Sequence, residues 1–134
     1  MNQYLLDTNH LSAYLKRQPV IESRIRAALD RGDRCGITLP ILCEYRAGLA
    51  MGKRSQRNLA RLKDARAYLR LWPLDEKTAI EFGRVAGELR QIGRPIGQFD
   101  TLIAASARQL DLILLTADTD FNAVPRLKIE NWLA

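Results

Sequence analysis

Histidine is almost missing from this chain of 134 residues: His10 is the only one. A zinc site built from several histidines is therefore excluded, as is acid–base chemistry shared by a histidine pair. Cysteine is scarce too. Cys35 and Cys43 stand too far apart for a C-x-x-C site. They read as free thiols in a reducing compartment, expected as small buried side chains. No apolar run approaches the ~20 residues of a membrane span. The N-terminus reaches Asp7 after only Tyr4, Leu5 and Leu6, so no secretory signal is expected and the cytoplasm is the expected location. G-x-x-x-x-G-K, G-x-G-x-x-G and G-x-S-x-G are all absent, which leaves P-loop, dinucleotide-binding and serine-hydrolase chemistry without an anchor.

Apolar residues make up 47% of the chain and charged residues 27%, an ordinary globular balance. A chain of this length buries roughly 70% of the surface its unfolded form exposes, enough for a single domain spanning 1–134. Lys and Arg outnumber Asp and Glu by 21 to 15, and 16 of those cations are arginine. The guanidinium fork suits phosphate and carboxylate, so a polyanionic or carboxylate-rich partner is expected.

Short apolar runs alternate with helical patterns. Strands are expected at Tyr4–Leu6, Arg34–Leu39, Leu69–Leu74 and Leu112–Thr116, with a last edge strand within Leu127–Trp132. Helices are expected at Leu11–Lys16, at Val20–Arg31 closed by Gly32, and from Pro40 to Gly48–Gly52. Further helices should run from a Ser55 cap to about Arg70, from Glu76 to about Ile92 behind an Asp75 cap, and over Gln98–Leu110. Near-continuously apolar strands alternating with helices predict an α/β fold: a central parallel sheet of four to five strands, flanked by helices on both faces.

This topology gives four acids a common address. Asp7 ends the first strand, and Asp118 lies just past the fourth. Glu44 and Asp100 fall in the first turns of helices. Strand C-termini and helix N-termini share the edge where α/β proteins bind ligands. Taken singly, Glu44 and Asp100 are explained as well by helix dipoles, and Asp118 and Asp120 by Asx turns. Taken together, four carboxylates on one edge repel one another and suit an all-oxygen site for a hard divalent cation.

The residues that carry this pattern also carry a resemblance. Leu5-Leu6-Asp7-Thr8-Asn9-His10-Leu11-Ser12 resembles the opening of PIN domains, specifically the VapC-like toxin ribonucleases. Cys43-Glu44-Tyr45-Arg46-Ala47-Gly48-Leu49, Ile96–Ala105 and Leu114–Phe121 resemble three further motifs in order, and Val124–Leu127 with Glu130-Asn131-Trp132 resembles the tail. The likeness covers essentially the whole chain. It implies a PIN-like fold and a Mg²⁺- or Mn²⁺-dependent endoribonuclease. It also implies a toxin of a type II toxin–antitoxin pair, restrained by a VapB-like antitoxin and homodimeric. Asp7, Glu44, Asp100 and Asp118 match the family's acidic quartet, with Asp7, Asp100 and Asp118 as metal ligands. Asn9 and Thr116 match polar positions beside it. Relatives have a longer Thr-x-Asn-x-x-Asp-Phe stretch; here Asp118 and Asp120 compete for the fourth place, and Asp118 is nearer the strand end. The resemblance implies hydrolysis by water, leaving 5′-phosphate and 3′-hydroxyl ends.

Arg54, Arg57 and Arg61 share one face of a basic helix and are candidates for contact with RNA or an acidic antitoxin. Leu59, Leu62, Ala65 and Leu69 lie on its other side, as core or antitoxin groove. His10 lies three residues after Asp7, within reach of the site, but a lone, partly exposed histidine near a helix start is more often structural or incidental, and it is read so; Trp72 and Trp132 are read as packing residues. The competing classes are a PIN-like module that binds RNA or protein without cleaving, and a phosphotransfer domain. A dehalogenase-type phosphatase would want aspartate where Asn9 stands. A receiver would want a lysine near the last strands, and 112–124 contains none.

Overall fold

Five short apolar strands pair edge to edge in one parallel sheet. They are β1 (Gln3–Leu6), β2 (Arg34–Thr38), β3 (Arg70–Trp72), β4 (Ile113–Leu115) and β5 (Ile129–Glu130), in the order β3-β2-β1-β4-β5. Leu5, Leu6, Ile37, Leu114 and Leu115 are fully buried, as strands covered on both faces must be. The structure is a computed structural model and describes residues 1–52 and 55–133.

The helices are α1 (Thr8–Leu15), α2 (Pro19–Asp30), α3 (Leu39–Ala50), α4 (Ser55–Ala65), α5 (Glu76–Gln91) and α6 (Gln98–Gln109), with a 3₁₀ turn at Thr119–Ala123. Sequence and structure agree closely for α2, α3, α5 and α6. The predicted Asp75 cap forms a capping box with Thr78, and the Thr78 hydroxyl also meets Gln109 of α6 at 3.1 Å. Nearly buried Arg108 of α6 pairs with Glu81 and Glu88 of α5 and donates to the Pro125 carbonyl, so α6 is held firmly.

Four elements differ from the sequence reading by two residues or more at an end, each for a local reason. α1 begins at Thr8, because the Asp7 side chain accepts the Thr8 N–H at 2.8 Å and caps it. α4 ends at Ala65, where Tyr68 and Leu69 both donate back to the Ala65 carbonyl. β3 stops at Trp72, before Pro73, which has no N–H to extend the ladder. β5 shrinks to two residues, because Arg126 adopts φ 58° before it and Leu133 N–H turns onto Asn131 after it.

Two side chains also lie elsewhere than expected. Cys43 is exposed, since the inward stripe of α3 is Ile41, Tyr45 and Leu49; Cys35 is buried as expected. His10 is completely buried, because it falls on the core-facing side of α1 with Leu11, Ala13 and Leu15. Trp132 packs on Tyr4 with ring centroids 4.7 Å apart, and Trp72 Nε1 donates to the Tyr4 carbonyl, so both tryptophans are packing residues. Asp111 is a turn residue at φ 55°.

Candidate metal centre at the sheet edge

Strand order reverses between β1 and β4: the chain builds outward to β2 and β3 on one side of β1, and to β4 and β5 on the other. The C-terminal ends of β1 and β4 therefore flank a switch point, the place where open α/β sheets bind ligands. Asp7 leaves β1 there, its backbone N–H donating to the Leu115 carbonyl at 2.9 Å. Thr116 and Asp118 leave β4 beside it.

Asp7 is buried, and both its oxygens are engaged. Oδ1 caps α1. Oδ2 accepts from the Thr116 hydroxyl at 2.7 Å and from the Asn9 amide at 3.3 Å. Burial raises the pKa of this carboxyl, the Thr116 and Thr8 hydrogen bonds oppose that rise, and repulsion from Glu44 and Asp118 adds to it. Thr116 Oγ1 in turn accepts from the Asp118 backbone N–H at 3.0 Å. Asn9 bridges the two strands: its Oδ1 accepts from Ala117 N–H at 3.3 Å while its amide faces Asp7 and Thr116.

Asp100 is the third residue of α6 and does not cap it; that place belongs to Gly97. The dipole explanation considered for Asp100 thus includes no capping bond. Its pKa is raised to about 6, by burial first and then by Asp7, Asp118, Glu44 and Asp120 in that order. Glu44 is the sixth residue of α3, exposed, with its charge felt at both Asp7 and Asp100. The four acids separated by up to 111 positions in sequence do converge electrostatically. Asp118 acts on both Asp7 and Asp100, whereas Asp120 is exposed and acts on Asp100 alone, as its weakest neighbour. Asp118 also fulfils the Asx-turn reading, accepting the Asp120 N–H at 2.9 Å through one oxygen.

Among the described residues, no three His, Cys, Asp or Glu side chains stand close enough together to hold an ion directly. The donor set is nonetheless all oxygen, which suits Mg²⁺, an ion that takes one or two carboxylates and keeps several waters. The buried hydroxyls of Thr8 and Thr38, at the ends of β1 and β2 on this same edge, find no partner among the described residues.

The basic face is elsewhere. Arg54 lies outside the described residues. Arg57 is exposed, and Arg61 donates to the Leu15 carbonyl at 3.2 Å. Arg61 lines a groove of about 560 Å³ with Tyr14, Glu22, Arg26, Asp64 and Tyr68. That groove sits at the far end of α1, about 12 Å along the helix from Asp7. Sequence reasoning set His10 aside as structural or incidental; its ring nitrogens meet Asn9 Oδ1 at 2.7 Å and the Trp132 N–H at 2.9 Å. The available signal was helical spacing: His10 is three residues before Ala13 on the stripe that enters the core.

No helix among the described residues is long and apolar enough to cross a membrane. The PIN domain family model matches residues 4–127. The chain is 33% identical to the tRNA(fMet)-specific endonuclease VapC of Shigella flexneri, over 98% of this chain and 99% of that protein. Among solved structures, it resembles the VapBC2 complex of Rickettsia felis bound to promoter DNA, with TM-score 0.89 and 26% identity over 97% of this chain and 98% of that one. It also resembles the DNA-bound VapBC of Salmonella typhimurium, with TM-score 0.87 and 29% identity over 98% of this chain and 99% of that one. With its parallel five-stranded sheet and the acids gathered at the switch point, the chain belongs to the PIN domain family, among its VapC-like members.

Proposed function

We propose that this protein is a Mg²⁺- or Mn²⁺-dependent endoribonuclease, the toxin of a type II toxin–antitoxin pair whose partner is a VapB-like antitoxin. The observation that carries the reading is the gathering of Asp7, Glu44, Asp100 and Asp118 at one switch point, where burial first and then their mutual repulsion raise the pKa of Asp7 and Asp100. A site meant only to bind the RNA backbone has no use for carboxylates that repel both one another and phosphate. The relatives named VapC are ribonucleases, and the similar solved structures are VapBC complexes.

Asp7, Asp100 and Asp118 are proposed to hold the divalent ion, directly or through its bound waters. The ion, when bound, neutralises phosphate charge and lowers the pKa of water. Glu44, exposed at the rim, orients the attacking water or receives its proton. Thr116 and Asn9 hold Asp7 Oδ2 in place, and Asp120 supports from outside. Arg57 and Arg61 are assigned to partner contact, because Arg61 lines the groove beyond α1.

Mapping of product ends tests the reaction. In-line attack by water on phosphorus, with the P–O3′ bond breaking and the 3′ oxygen leaving as a hydroxyl, leaves 5′-phosphate and 3′-hydroxyl termini; 2′,3′-cyclic phosphate ends would rule this chemistry out. The name of the Shigella relative makes tRNA(fMet) the first defined substrate to assay.

A further inference from the structure

We propose that His10 is a positioning residue for the carboxylate site: as its neutral Nδ1–H tautomer it fixes the orientation of the Asn9 amide, and through Asn9 it aims Asp7. The inference rests on the reading of Asp7 as a working carboxylate. It follows from the direction of each hydrogen bond in a chain that runs from the C-terminal tail to Asp7.

The backbone N–H of Trp132 can only donate, and it points at His10 Nε2 at 2.9 Å. Nε2 must therefore be bare. A neutral ring then carries its proton on Nδ1, which donates to Asn9 Oδ1 at 2.7 Å. The same oxygen accepts from Ala117 N–H at 3.3 Å. Two donors fix the oxygen end of the Asn9 amide, so its NH₂ end must face Asp7 Oδ2 at 3.3 Å and Thr116 Oγ1 at 3.4 Å. The Thr116 hydroxyl, already accepting, spends its only proton on Asp7 Oδ2 at 2.7 Å. The opposite tautomer would set N–H against N–H at Trp132 and a lone pair against the Asn9 oxygen. Turning the Asn9 amide to relieve this would put a carbonyl oxygen against the Asp7 carboxylate.

The far end of the chain is rigid. Trp132 is buried against Tyr4, its indole N–H donates to Glu130 at 2.9 Å, and the Arg24 guanidinium lies 5.0 Å from its ring. A residue needed only to fill this part of the core would be apolar. Here a completely buried imidazole spends both nitrogens on directed bonds, one toward the tail and one toward the site.

Because the protein has one histidine, long-range ¹H–¹⁵N NMR of labelled protein at pH 7 reads this ring alone. The expected spectrum shows protonated Nδ1 and bare Nε2; an Nε2–H tautomer or an imidazolium overturns the proposal. Two variants then split the roles. His10→Asn keeps an amide donor near the Nδ1 position and loses the acceptor for Trp132. His10→Gln keeps an acceptor near the Nε2 position and loses the donor to Asn9. Mn²⁺ affinity, and kcat with RNA, are expected to fall about 10-fold or more further in His10→Gln than in His10→Asn, with KM for RNA shifted less than kcat. Losses that instead follow the melting temperatures of the two variants would make His10 a packing residue and defeat the proposal. NMR and Mn²⁺ binding need no RNA turnover, so a wild-type protein that fails to cleave RNA would count against the proposed function and leave these two readouts to decide on His10.

Discussion

Asp7 answers three demands with two oxygens. Oδ1 starts α1 by capping it, and Oδ2 collects the Thr116 hydroxyl and the Asn9 amide. In the sequence, Asp7 is legible only as an acid after a buried strand; capping and site roles look like alternatives. The structure shows the cap and the placement beside the other acids to be compatible, because each uses a different oxygen. Thr116 is the strongest hydrogen-bond influence holding the Asp7 pKa down against burial. Thr116→Val should therefore push that pKa higher, lower RNA cleavage at pH 7 by roughly 10- to 100-fold, and move the rise of the pH–rate profile to higher pH. Thr116→Ser, which keeps the hydroxyl, should sit close to wild type. An unshifted profile in Thr116→Val would show that Asp7 is not tuned through this bond. His10 was the least legible residue, since a lone histidine looks the same in sequence whether it is incidental or wired between the Trp132 backbone and the Asn9 side chain.

Elements carry the acids to the edge, and their order was readable because each rests on a local rule. The near-continuous apolar runs of β1 and β4 marked buried strands, Pro40 marked the first turn of α3, and Asp75 marked the start of α5. The ends of elements were less readable where tertiary partners set them. β5 exists as two residues only because Thr116 N–H and Leu114 N–H reach across to the Glu130 and Lys128 carbonyls. Gly36 shows a constraint invisible in sequence. A Cβ there would lie 2.6 Å from the Arg70 carbonyl oxygen and 2.6 Å from Trp72 Nε1, the atom that donates to the Tyr4 carbonyl. Gly36→Ala must part β2 from β3 and displace the indole, so a loss of about 2 kcal/mol is expected, in the range of overpacked cores. Urea denaturation checks it; a midpoint equal to wild type would mean that the β2–β3 edge yields freely.

Across the whole molecule, two groups, buried His10 and half-buried Asp100, titrate in opposite senses. His10 is held neutral, its pKa lowered to about 4 by burial and by Arg24. Between about 6.5 and 4 the unfolded chain takes up this proton and the folded chain does not, so stability falls with falling pH, by up to about 3 kcal/mol. Asp100, raised to about 6, does the reverse: between about 6 and 3.8 the folded chain takes up the proton, and stability rises as pH falls. In EDTA the wild-type melting temperature should therefore change little over that window from these two groups. Asp100→Asn should melt higher than wild type near pH 7 and lose stability more steeply on acidification. Parallel pH curves for the two proteins would contradict the assigned repulsion.

At the same scale, the alternation of strands and helices announced the parallel sheet, and the parallel sheet announced that acids far apart in sequence would share one edge. Distances between them could not be read, because they depend on α6 being locked to α5 through Arg108 and Glu88. The central claim is that this edge cuts RNA through an ion held by its carboxylates. The most direct measurement is cleavage of total cellular RNA by the purified protein with Mg²⁺ or Mn²⁺, with EDTA, and with Asp100→Asn. Discrete cuts that need the ion and vanish in the variant are expected. Cleavage that survives Asp100→Asn, or no cleavage by folded, ion-loaded wild-type protein, would contradict the claim.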